Sequence, residues 1–138
     1  ASSPDLRARA EALADAFLPG ALTLVCRSRG VLPAEVQAGF PGIGIRIPSH
    51  PFGPTLARAV GRPITTTSAN ASGLPPATDR ASALAAFAHA SEQPQLLIDG
   101  GPSPLGQAST VVDLTGDALR LVREGTIAFA AIETVLRG

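Results

Sequence analysis

The sequence predicts an α/β fold whose sheet mixes parallel and antiparallel strands, and three observations carry that expectation. Short apolar runs alternate with segments of helical period, the alternation ends in two neighbouring strands joined by a polar turn, and no repeat or linker interrupts the 138 residues. A chain of this length suits one core. Crossovers between alternating strands and helices make parallel pairs, whereas the terminal hairpin makes an antiparallel one.

The elements follow in order. Ser3, Pro4 and Asp5 open a helix as cap, first-turn proline and dipole-compensating acid, and Leu6, Ala10, Leu13, Ala14 and Phe17 recur on its apolar face until Pro19-Gly20. Residues 21–26 are a short apolar run and predict a strand. From Gly42 to Pro48 the sequence alternates strictly, which predicts a strand burying Ile43, Ile45 and Ile47 and turning Arg46 to the other side. Phe52, Leu56, Ala57 and Val60 form a helical stripe closed by Gly61. The β-branched run Ile64-Thr65-Thr66-Thr67 predicts a strand leading into a polar turn at Ser68–Gly73, after which Thr78-Asp79 cap an alanine-rich helix to about Ala90. Gln95 to Ile98 predicts another strand, running into the glycine-rich loop 99–106. Segments 109–114 and 119–123 make the hairpin through Thr115-Gly116-Asp117-Ala118, and a last helix from Thr126 is expected to bury Ile127, Ala131, Val135 and their neighbours.

Composition narrows the function. With 45% hydrophobic and 16% charged residues, and 11 basic against 11 acidic side chains, the chain has no bulk charge for attracting nucleic acid, so partners must be recognised locally. No stretch approaches the ~18 apolar residues of a membrane span, and the N-terminal residues lack the features of a secretory signal. A cytoplasmic location without membrane attachment is expected. The lone Cys26 excludes an internal disulfide and suits a reducing compartment. Every basic residue is Arg, which rules out a Schiff-base lysine and a P-loop within this sequence. One Cys and two distant His have no metal-ligand spacing, so a metal is expected only with a nucleotide.

Small polar residues gather at predicted strand ends: Ser49-His50, Thr65 to Ser72, Ser103 to Thr110, and Arg123-Glu124-Gly125. Ligands of open α/β sheets bind in the crevice outside strand ends, and hydroxyls, turn amides and the planar Arg46 and Arg123 suit phosphate or carboxylate. Blander readings stand beside this one. Such clusters are usually plain turns, Arg46 is by default a solvated strand residue, His50 suits a helix cap and His89 a surface position. A serine hydrolase drawing on Ser68 or Ser109 with His50 and Asp99 or Asp113 would lack the G-x-S-x-G elbow.

Taken together, Phe17-Leu-Pro-Gly-Ala-Leu-Thr-Leu-Val, Ile45-Arg-Ile-Pro-Ser-His-Pro, Thr67-Ser-Ala-Asn-Ala-Ser-Gly, Leu97-Ile-Asp-Gly-Gly, Ser109-Thr-Val-Val-Asp-Leu and Leu121-Val-Arg-Glu-Gly-Thr-Ile resemble the YrdC-like family of threonylcarbamoyl-AMP synthases in order and spacing. The resemblance implies a twisted open mixed sheet with flanking helices, with residues 1–138 forming the larger C-terminal part of a YrdC-like domain. It implies an L-threonylcarbamoyladenylate synthase, a nucleotidyltransferase that makes threonylcarbamoyl-AMP and pyrophosphate from L-threonine, bicarbonate and ATP for tRNA threonylcarbamoyladenosine modification. Magnesium would come with ATP, and the proteins that use the product in tRNA modification would be partners.

Arg46, Thr66 and Ser109 resemble threonine-binding positions, while Gly42, Ser68, Asn70, Pro76 and Arg123 resemble ATP-binding ones, Ser68 and Asn70 on the phosphate and metal side. No protein nucleophile is implied, because alignment and charge neutralisation suffice for the transfer. Two positions depart from the family pattern: Glu124 stands where Arg-Pro-Gly is usual, and Thr67 where a proline usually precedes Ser-Ala-Asn. The family's upstream Lys-x-Arg-Pro segment has no counterpart in this lysine-free sequence. The alternative is a catalytically incomplete module that binds nucleotide, tRNA or double-stranded RNA, with only five Phe and no Tyr or Trp to stack on bases.

Overall fold

The computed structural model describes residues 4–30, 32–37, 39–71, 73–103 and 108–137. Two compact units make up the chain, the first of residues 1–64 and 107–138, the second of residues 65–106.

The first unit holds the sheet. Helix α1 (Pro4–Phe17) leads into β1 (Leu22–Arg27), a short α2 (Ala34–Gln37), β2 (Gly42–Ile45) and α3 (Phe52–Val60). After the second unit's α4 (Arg80–Phe87), the chain returns with β3 (Thr110–Asp113), β4 (Arg120–Arg123) and α5 (Phe129–Arg137). Strand order is β2-β1-β3-β4. β1 pairs antiparallel with β2 and parallel with β3, and β3 pairs antiparallel with β4, so the mixed sheet expected from the sequence is what forms. Ser3, the expected cap of α1, lies outside the described residues.

Strand alternation decides which face is core. Leu22, Leu24, Val112 and Leu114 point one way and pack with Leu13 of α1 and Ile132 of α5, all of them buried. Ala10, Ala14 and Phe17 join from α1, as their helical spacing predicts. Each fully buried Leu or Ile contributes about 1.5–3 kcal/mol. Ile127 and Val135 pack half-buried against the core beside the fully buried Ile132, as expected, but Ala131 is exposed and the helix begins at Phe129 rather than Thr126. At that start Phe129 N–H donates to Glu124 Oε1 (2.7 Å), which satisfies an early helix donor from outside the helix.

Several expectations fail for want of a packing partner. The alternation around β2 is real, but Ile45 and Ile47 are 49% and 45% exposed, at the end of a short strand on the edge of the sheet. Strand pairing stops at Ile45, so Arg46 lies just past the strand instead of inside it. The α3 stripe forms as a helix and ends at Gly61, whose φ of 73° is the left-handed closure that glycine permits. Even so, α3 buries no residue, and Phe52, Leu56 and Val60 stay exposed.

In the second unit, α4 is capped as expected: Asp79 accepts from Ser82 N–H at 2.7 Å, and Ser82 Oγ accepts from Asp79 N–H at 3.1 Å. The helix stops at Phe87, short of Ala90. The strands expected at 64–67 and 95–98 do not form; both segments are irregular, and Leu96 and Ile98 are 75% and 59% exposed. β-propensity expresses a fit to neighbouring strands, and among the described residues none pairs with these.

Candidate functional site: a polar sheet face

Because Leu22 and Leu24 face the helices, Thr23 between them faces the opposite side of the sheet, and so does Val111 of β3 between Thr110 and Val112. Register carries this side across the strands: Thr23 pairs with Val111, and Val111 with Arg123. Leu24 pairs with Ile45, so Arg46 follows beside Thr23 one step past the ladder. Arg46, Thr23, Ser109 and Arg123 therefore share the face that α1 and α5 leave bare.

Hydrogen bonds tie this row together. Ser109 Oγ lies 2.9 Å from Thr23 Oγ1. Arg123 donates through Nε and Nη2 to Ser109 O, at 3.2 and 3.0 Å, and through Nη2 to Ser109 Oγ at 3.4 Å. Arg46 Nε donates to Gly20 O at 3.0 Å, while Gly20 N–H donates to Ile47 O at 2.8 Å, which fastens the end of β2 to the start of β1. Anchored through Nε, Arg46 keeps the Nη1/Nη2 edge of its guanidinium without a protein partner among the described residues, the fork that a carboxylate takes bidentately. Three residues singled out from sequence, Arg46, Ser109 and Arg123, thus meet on one face. Thr23 was missed because its hydroxyl sits inside an apolar run, and only the parallel β1–β3 register reveals it.

Thr110, which the sequence groups with the polar strand-end segment 103–110, has a structural role instead. Fully buried, it donates to Ile127 O at 2.5 Å and accepts from Gly125 N–H at 2.9 Å and Ile127 N–H at 3.2 Å. This clamp fixes the segment after Arg123. Gly125 presses so closely on Ala108 and Ser109 that a Cβ there would collide with Ala108 O and the Ser109 carbonyl group.

Gly42 is buried, and a Cβ on it would meet Thr115 Cγ2, Phe40 Cε1 and Val25 Cγ1 at 2.7–2.9 Å, so its smallness lets β2 close on its neighbours. Beside it Phe40, Asp113, Thr115, Leu119 and Arg120 line an open cavity of about 550 Å³. Burial works against a charge on Asp113, but hydrogen bonds from Arg120 Nη2 (2.8 Å) and Thr115 N–H (2.8 Å) prevail and hold its carboxyl below the usual range. Burial, aided by the Asp113 charge, pushes the Cys26 thiol up.

The second unit holds the remaining sequence candidates. Thr66, Ser68 and Pro76 are exposed. Asn70 staples its turn by donating from Nδ2 to Ala71 O (3.0 Å) and Leu74 O (2.9 Å), and its shielded Oδ1 has no partner among the described residues. Ala69, Thr78, Asp79, Leu97, Asp99 and Gly101 border a cavity of about 200 Å³. A serine-hydrolase arrangement finds no support: His50 Nδ1 accepts from Phe52 N–H (3.3 Å), Asp99 from Gly101 N–H (3.0 Å), and Asp113 is held by Arg120. His89 is exposed. Among the described residues, no group of three His, Cys, Asp or Glu stands together as a metal site, and no helix is long and apolar enough to cross a membrane.

A helix-backed mixed sheet whose other face carries arginines and hydroxyls defines the class, an α/β domain with donor groups of the kind that suit anions on one sheet face. The family model Sua5_yciO_yrdC, described as "Telomere recombination", matches residues 1–125, and the chain belongs to that family. It is 37% identical over 127 residues to the threonylcarbamoyl-AMP synthase of Pyrococcus abyssi, covering 92% of this chain and 36% of that protein. Identity to the Bacillus subtilis threonylcarbamoyl-AMP synthase is also 37%, over 131 residues, covering 93% of this chain and 36% of the relative. The crystal structure of P. abyssi Sua5 complexed with L-threonine superposes with a TM-score of 0.84 at 36% identity, over 93% of this chain and 37% of that one. The chain therefore spans about a third of the length of these relatives.

Proposed function

We propose that this chain serves L-threonylcarbamoyladenylate synthesis, forming threonylcarbamoyl-AMP and pyrophosphate from L-threonine, bicarbonate and ATP for tRNA modification. The observation that carries the reading is the row Arg46–Thr23–Ser109–Arg123 on the sheet face opposite α1 and α5, with the Arg46 Nη1/Nη2 fork without a partner among the described residues. The names of the relatives and the threonine-bound P. abyssi structure support it.

In this reading Arg46 fixes the threonine carboxylate, with Ser109 and Thr66 as further threonine contacts. The threonine amine takes up bicarbonate as a carbamate with loss of water. A carbamate oxygen then attacks the α-phosphorus of ATP, and pyrophosphate leaves. Arg123 offsets charge on the nucleotide, with Gly42 and Pro76 as peripheral nucleotide positions. Ser68 and Asn70 take the phosphate and metal side, where the unpaired Asn70 Oδ1 is an acceptor of the kind a hydrated magnesium ion uses. Magnesium bound with ATP supplies neutralisation of phosphate charge. The reaction belongs in the cytoplasm, beside ATP and the tRNA-modification proteins that consume the product; the lone Cys26 suits that compartment.

Calorimetric titration with L-threonine tests the carrying observation. Arg46 is exposed, so Arg46→Ala is expected to leave folding intact while weakening threonine binding roughly ten- to a hundredfold, the worth of a charge-assisted hydrogen bond of about 1.5–3 kcal/mol. Arg46→Lys, which keeps the charge but loses the fork, should fall between. Equal affinity in wild type and Arg46→Ala, or no binding of threonine by the wild type, would overturn the assignment. Pyrophosphate release that requires both threonine and bicarbonate is the accompanying test of the reaction.

A further inference from the structure

We propose that Thr23 is a positioning residue that makes the Ser109 hydroxyl a committed hydrogen-bond donor toward the bound substrate, an inference that rests on the threonine-binding reading of this face. Ser109 Oγ has one hydrogen and two acceptor sites. Arg123 Nη2 can only donate, and it reaches Ser109 Oγ at 3.4 Å. Thr23 Oγ1, at 2.9 Å, is able to fill the other acceptor site. When both do so, the Ser109 hydrogen has no protein acceptor left in this cluster, and at 7% exposure it has little access to bulk water. It then points toward whatever acceptor a ligand supplies, such as a carboxylate or carbamate oxygen.

Placement supports a directional role. Thr23 stands between the Arg46 end of the row and the Ser109–Arg123 pair, and its methyl group is backed by β2, where a Cβ on Gly44 would come within 3.2 Å of Thr23 Cγ2. With its methyl toward Gly44 of β2, the Thr23 hydroxyl lies on the β3 side, 2.9 Å from Ser109 Oγ. Valine at this position would keep the shape and lose the hydroxyl, whereas serine would keep the hydroxyl and lose the methyl.

Two readouts separate this inference from the functional reading. In the ligand-free chain, NMR measurement of Arg123 Nη–H exchange reports the guanidinium contact with Ser109 Oγ, the atom that Thr23 bonds, with Arg46 Nε–H as internal control. Thr23→Val should speed Arg123 exchange severalfold and leave Arg46 unchanged, and Thr23→Ser should restore the wild-type rate. Unchanged Arg123 exchange in Thr23→Val overturns the positioning role whether or not threonine binds. In threonine titrations, Thr23→Val should weaken affinity about fivefold, a loss of about 1 kcal/mol that matches one hydrogen bond. The same substitution should have no further effect in a Ser109→Ala background. An equal loss in that background would mean Thr23 acts independently of Ser109, against the proposal. Absence of binding in the wild type would fail the functional reading alone, because the exchange measurement still decides the role of Thr23.

Discussion

Replacing Thr110 by valine should destabilise the first unit more than any exposed substitution on the polar face. Valine fits the same space, so packing is preserved and the loss is confined to hydrogen bonds. Gly125 N–H and Ile127 N–H lose their acceptor, and Ile127 O loses its donor. A buried group left unsatisfied costs about 1–3 kcal/mol, and because Gly125 and Ile127 are half-buried, water restores part of it, leaving roughly 2–4 kcal/mol in total. At ~2.1 cal/mol/K per residue, unfolding a chain of 138 residues carries an entropy near 0.3 kcal/mol/K, so Tm should drop by about 7–14 °C. Circular dichroism melts of wild type, Thr110→Val and Thr110→Ser make the comparison, with serine expected to recover most of the loss. A valine variant melting within about 2 °C of wild type would refute the reasoning, since the clamp would then contribute less than a single ordinary hydrogen bond.

Gly125→Ala should both lower Tm and weaken threonine binding, because relieving the collision with Ala108 and Ser109 must displace the backbone that Arg123 grips; a variant with wild-type melting and binding would show that the close approach is dispensable. Asp113 has a folded pKa below its unfolded value of about 3.9, so it contributes stability that is fully present above that value and is lost as the pH falls through the carboxylate range toward the folded pKa. Melts between pH 7 and pH 3 should therefore fall less steeply in Asp113→Asn than in wild type, and parallel curves would remove Asp113 from the acid response.

Local chemistry was legible where a residue's partners lie near it in sequence. The Asp79–Ser82 capping box, the glycine closing α3, the apolar stripe of α1 and the β3–β4 hairpin are each settled within a few residues, and each forms as the sequence predicts. Motif order also singled out Arg46, Ser109 and Arg123. What the sequence could not carry was partnership at a distance. Ile64–Thr67 and Gln95–Ile98 have strand composition but find no pairing strand among the described residues, and Ile45, Ile47 and Phe52, Leu56 and Val60 of the α3 stripe have core composition yet stay exposed. Thr23 and Thr110 show the converse, two hydroxyls within or beside apolar runs whose roles come from the packed chain: parallel pairing of β1 with β3 brings Thr23 to Ser109, 86 residues away, and the turn after β4 brings Gly125 and Ile127 back to Thr110. Propensity and period are properties of a segment, whereas burial, pairing and the joint direction of side chains on a sheet face belong to the packed chain, and the second set decides where chemistry can occur.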